Sequence, residues 1–132
     1  VFGDLHCRSL VNDWASIVIV TGDCIVEDWV FAAREDSAFI VGGAFRTPIF
    51  VGADIWVSVG GVVEIETGDG YAVALRHAGD ASRSPRITPH TDWRSMVSRL
   101  ALDRDGPVDE YDVVEMIEKR LYQTGTILPS DE

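Results

Sequence analysis

The sequence predicts an α+β domain: a mostly antiparallel, strongly curved sheet of five to seven strands, followed by two C-terminal helices packed on one face. Three observations carry that expectation. Apolar β-branched and aromatic runs recur between residues 17 and 76. Glycine and proline interrupt them at short intervals. Two stretches with helical spacing then close the chain. Strands first and helices after is the α+β order. The breaks between strands span only two to six residues, whereas a parallel crossover takes a dozen or more, so antiparallel pairing is expected.

The elements follow in order. Residues 8–15 read as a short helix. Ile17-Val18-Ile19-Val20-Thr21 is a β-branched run, expected to be a strand buried on both faces. Residues 25–33, with Trp29 and Phe31 alternating against Val30 and Ala32, read as a second strand. Residues 37–42, 48–51 and 54–59 follow, broken by Gly42-Gly43, Pro48 and Gly52. Residues 62–76 predict a hairpin. A three-residue loop, Gly68-Asp69-Gly70, sets Ile65 opposite Val73 and Val63 opposite Leu75. Glu64 and Glu66 then face away from the apolar side.

Residues 78–90 are rich in Gly, Ser, Pro, Arg and Asp and read as a loop. A helix over 92–102 carries Trp93, Met96, Val97 and Leu100 on one stripe. After Asp105-Gly106-Pro107 a second helix starts near Val108, repeats Tyr111, Val114, Ile117 and Leu121, and closes at Gly125. Residues 1–125 are read as one domain and 126–132 as a tail. No internal repeat is apparent.

Composition narrows function mainly by exclusion. The 132 residues suit a single domain that needs neither disulfide nor metal to fold. A net charge of −11 repels nucleic acid and anionic lipid, and favours basic partners. Cys7 and Cys24 form no C-x-x-C pair and are too few for a disulfide framework. Residues 1–15 lack a basic start and carry Asp4 and Asp13, so no signal peptide is read and a cytoplasmic setting is expected.

Motifs add little. Gly3-Asp4-Leu5-His6, with Gly22-Asp23 after a strand, resembles the first two motifs of the metallophosphoesterases. That resemblance implies metal binding by Asp4, His6 and Asp23. It covers only residues 1–24, and the family's later Gly-Asn-His and Gly-His-x-His segments have no counterpart here. No histidine or cysteine pair shows zinc-ligand spacing, and no nucleophile elbow or phosphate loop occurs. No metal and no cofactor is therefore expected.

Residues 76–99 carry a net +3 inside this acidic chain. Arg76, His77, Arg86 and His90, with Glu64 and Glu66, are the candidate ligand-binding residues. Apolar strands with no polar face require a cover. Phe39, Val41, Phe50 and Trp56 are the candidate interface residues for a homodimer or larger homo-oligomer. The expected function is a small acidic binding protein, inhibitor-like toward a basic protein partner. The alternative is a small enzyme or ligand carrier with a pocket between sheet and helices.

Overall fold

The computed structural model describes residues 1–13, 16–77, 93–102 and 109–129. Among the described residues, five strands are followed by two helices: β1 (Leu5–Asp13), β2 (Ile17–Val20), β3 (Cys24–Val41), β4 (Phe45–Val59), β5 (Val63–His77), α1 (Trp93–Arg99) and α2 (Glu110–Thr124). Every strand pairing among the described residues is parallel. β1 and β2 both pair with β3, β3 with β4, and β4 with β5.

The register shows how so short a chain achieves this. Leu5 lies beside Cys24, Cys24 beside Phe45, and Phe45 beside Val63. The chain thus returns to the same position after 18 to 21 residues and stacks on itself. This is a parallel β-solenoid, in which each coil covers the one before it.

The antiparallel sheet is therefore overturned. Segments adjacent in sequence do not pair with each other; they are consecutive sides of one coil. Their partners lie a full coil away, and the coil itself is the crossover. The hairpin is overturned for the same reason. Gly68, Asp69 and Gly70 run straight along β5, beside Phe50, Val51 and Gly52. The stretch 8–15 is no helix over its described residues: residues 8–13 belong to β1.

A repeat is also present. Val1-Phe2-Gly3-Asp4-Leu5, Val20-Thr21-Gly22-Asp23-Cys24, Val41-Gly42-Gly43-Ala44-Phe45 and Val59-Gly60-Gly61-Val62-Val63 share a Val-x-Gly pattern and stack at one corner. There Gly22 N–H donates to Gly3 O, Gly43 to Gly22 and Gly61 to Gly43, at 2.8–2.9 Å.

Each coil has three flat sides. In β4 the inward side chains are Phe45 and Thr47, then Phe50, then Ile55, Val57 and Val59. The alternation slips by one residue between these groups, and each slip is a corner. The first flat holds residues 5–7, 24–26, 45–47 and 63–65. The second holds 10–13, 29–33, 49–53 and 67–71. The third holds 17–20, 38–41, 55–59 and 73–77.

Two cores result. Inside the coils, Phe39 meets Phe45 edge-on at 5.0 Å and Phe45 meets Phe50 at 6.0 Å, among Val26, Val30 and Val57. Outside the second flat, Trp29, Phe31, Ile49 and Val51 pack with Met96 and Leu100 of the α1 segment and Val113 and Ile117 of α2. This is why the second flat is apolar on both faces: one face fills the solenoid and the other is covered by the chain's own helices.

The helices stand at the C-terminus as the sequence implies. Asp109 caps α2 by accepting the Asp112 N–H at 3.0 Å. Gly125, at φ 79°, closes it by donating to Leu121 O. Ile127, in the stretch read as a tail, is fully buried against the helices.

Candidate functional site

The three flats present different chemistry to the outside. The second is covered by helices. The first carries charged pairs, His6 with Glu27 at 3.0 Å and Arg46 with Glu64 at 3.2 Å, and the corner after it carries Arg8 with Asp28 at 3.6 Å. These pairs are mostly exposed, so each contributes little to stability. A shallow groove of about 510 Å³ runs beside them, lined by Glu27, Arg46, Thr47, Glu64 and Glu66 among others.

The third flat exposes apolar side chains along β2 and β4. Its outward positions follow from strict alternation in β2, where Val18 and Val20 turn inward and Ile17 and Ile19 outward. Ile17 lies in register with Ala38 and then Trp56; Ile19 lies in register with Ile40 and then Ser58. Ile17 is 65 % exposed, Ile19 48 % and Trp56 40 %, and Ile40 is half-buried. Coils about 4.8 Å apart set these side chains in two parallel rows.

The residues singled out from sequence fall in different places. Glu64 is held by Arg46, and Glu66 by Arg99 at 3.1 Å, with Arg99 also donating to Thr67. The backbones of Arg76 and His77 lie beside Ser58 and Val59, on the third flat rather than the first. Arg86 and His90 lie outside the described residues. Phe39, Val41 and Phe50 sit inside the solenoid, sealed from solvent, and Trp56 alone of the four interface candidates reaches the surface. Between the second flat and the helices, where the alternative reading places a pocket, apolar side chains pack together, and an open cleft of about 530 Å³ lies beside them, lined by Thr67 of β5 and by Arg94, Ser95, Ser98 and Arg99 of α1.

The Gly-Asp pairs have a structural task. Asp4 and Asp23 each accept a backbone N–H from the next coil, and His6 faces Glu27. Among the described residues no group of three or more His, Cys, Asp or Glu side chains could hold a metal ion. Cys7 and Cys24 are free thiols. Burial pushes the Cys24 thiol up to about 11, with Cys7 adding to the effect. Burial, and then the Glu27 carboxylate, raises that of Cys7. Neither is set up as a nucleophile, which needs a lowered pKa.

Ile17, Ile19 and Ile40 were missed from sequence. They stand in continuous apolar runs, 17–21 and 39–41, which read as strands apolar on both faces and do not show which side faces out. No helix among the described residues is long and apolar enough to cross a membrane. No family model, no curated protein and no solved structure matches the chain.

Proposed function

We propose that this chain is a protein-interaction module whose third flat is the contact surface. The rows Ile17–Ala38–Trp56 and Ile19–Ile40–Ser58, in which Ile17, Ile19 and Trp56 are exposed and the rest half-buried, carry this reading. An apolar patch on a rigid lattice, rimmed by polar residues, is the usual form of a protein contact. The net charge of −11 favours a partner with a basic rim, and steers its approach more than it sets its final affinity. The free thiols suit a reducing compartment, and we place the protein in the cytoplasm.

Site-specific photo-crosslinking in cells tests the reading. A photoreactive residue at Ile40 or Trp56 is expected to give a discrete crosslinked band, weakened by salt. The same residue at Arg46, on the charged first flat, is expected to give none. Equal bands from both flats, or bands from the first flat alone, would remove the third flat as the contact surface.

A further inference from the structure

We propose that the cleft between β5 and α1 is a binding site for a phosphate monoester of sugar-phosphate size. It lies over the second flat, whereas the contact surface proposed above is the third, so either proposal can fail without the other.

The lining decides the sign of the ligand. The cleft is about 530 Å³ and is lined by Thr67, Arg94, Ser95, Ser98 and Arg99. Two guanidiniums and three hydroxyls meet there, and no carboxylate stands among these described residues. The chain as a whole has twice as many acidic as basic residues, so a cationic cleft runs against its composition. The groove on the first flat follows the composition instead: Glu27, Glu64 and Glu66 line it with Arg46.

The helix explains why these side chains gather. Met96 and Val97 of α1, with Leu100 just past its end, are buried against the second flat. Arg94, Ser95, Ser98 and Arg99 form the exposed stripe, because positions three and four apart share a face. The site thus runs along α1 from near its start to its last residue, with Thr67 of β5 as the facing wall.

Arg99 is held in place without a ligand. It donates to Thr67 Oγ1 at 3.0 Å and to Glu66 Oε2 at 3.1 Å. These bonds use two of the five N–H donors of the guanidinium. Glu66 lines the first-flat groove rather than this cleft. The Thr67 hydroxyl accepts from Arg99 and keeps its own proton to donate. A guanidinium already held loses less freedom on binding than a mobile one.

Charge and donor count select the phosphate. A phosphate monoester carries about −1.5 to −2 at pH 7 and three strong acceptor oxygens, which suit two guanidiniums and the hydroxyls beside them. A carboxylate brings a single charge and fewer oxygens. The arginine fork matches phosphate in bidentate fashion. A cleft of this volume holds more than a phosphate group, hence the sugar-sized remainder.

Amide NMR titration of the 132-residue chain with ribose 5-phosphate is the experiment. Inorganic phosphate, ribose, acetate and sodium chloride of matched ionic strength are the comparison probes. The expected result is saturable shifts at Thr67 and residues 94–99 with ribose 5-phosphate. Inorganic phosphate should shift the same residues with weaker affinity, and ribose, acetate and the matched salt should not. Arg94→Gln is expected to weaken binding about tenfold or more, the loss of one charge-assisted bond. Arg94 is exposed and glutamine suits a helix, so this variant should fold. Thr67→Val, which keeps the β-branched shape and removes the hydroxyl, should weaken binding as well. Arg46→Gln, on the acidic groove, should leave it unchanged. Absence of saturable shifts overturns the proposal. So do equal shifts from acetate, equal affinity for inorganic phosphate, or full affinity in both Arg94→Gln and Thr67→Val.

Discussion

The carboxylate of Asp4 accepts the backbone N–H of Asp23 at 2.8 Å, and the carboxylate of Asp23 repeats the bond one coil on, to Ala44 N–H at 2.8 Å. The two residues occupy the same place in successive Val-x-Gly corners. Each side chain thus caps the corner stacked on it. A bond to a charged acceptor contributes about 1.5–3 kcal/mol, at the low end where the carboxylate is exposed as here. Asp23→Ala is expected to lower stability by about 1.5 kcal/mol, whereas Asp23→Asn, which keeps an acceptor oxygen, should lose less. Urea denaturation of the two variants checks the difference. Equal losses would show that the carboxyl is not acting as a cap.

The corners also require close backbone approach. A Cβ on Gly60 would lie 2.2 Å from Gly42 O, and that atom is backbone one coil away. It cannot swing aside as a side chain would. Gly60→Ala is expected to cost about 1–3 kcal/mol, the range for overpacking a tight site. A thermal melt unchanged from the parent would mean the coils can separate at this corner.

The helical end of the fold was legible and the solenoid was not, for a physical reason. Helix signals are local: the Asp109 cap, the Gly125 stop and the Val114–Ile117–Leu121 stripe lie within a few residues of the bonds they make. Strand pairing is not local. Val63 and Ile65 alternate with Glu64 and Glu66 whether their partner is Val73 nearby or Phe45 one coil back. Gly68-Asp69-Gly70 fits a tight loop and equally fits a strand beside Gly52. The Val-x-Gly corners were the deciding signal, but coils of 18 to 21 residues blur their period. The third flat was hidden for the same reason. Phe39 and Ile40 are neighbours in sequence and sit on opposite sides of the wall, and without the coil nothing says which side is the outside.

Core and surface aromatics should separate cleanly in stability. Phe50 is fully buried in the solenoid, edge-on to Phe45. Phe50→Ala is expected to cost about 3–5 kcal/mol, a large share of the stability of a domain this size. Trp56→Ala, on the third flat, is expected to cost far less, while abolishing the crosslinks seen from Ile40. Chemical denaturation and crosslinking of the two variants together check this. A Trp56→Ala chain that unfolds would show Trp56 to be structural rather than a contact residue.

Arg120 ties the two helices together. Its guanidinium donates to the carbonyls of Leu100 and Ala101, just past α1, and to Ile127 O beyond α2. A cation at these carbonyls also offsets the negative end of α1. Arg120→Lys keeps the charge but loses the planar fork that reaches three acceptors. It is expected to cost about 1–2 kcal/mol and to speed amide exchange around Leu100 and Ile127. Unaltered exchange there would show the clasp to be dispensable.

The buried thiol predicts the alkaline limb of stability. Cys24 is raised from 9.0 to about 11 by burial, with Cys7 contributing. Between those values the unfolded chain has released the thiol proton and the folded chain has kept it. The unfolded state then binds fewer protons, so unfolding free energy falls as pH rises. The contribution is complete below about pH 9 and is lost progressively up to about 11. Other groups titrate in the same range, so the comparison is with Cys24→Ala, which carries no thiol. The stability difference between parent and Cys24→Ala should shrink across that window. The thiol should also resist alkylation at pH 8 until the chain is unfolded, because only the thiolate reacts. Rapid labelling of native Cys24 at pH 8 would contradict the placement of that side chain inside the solenoid.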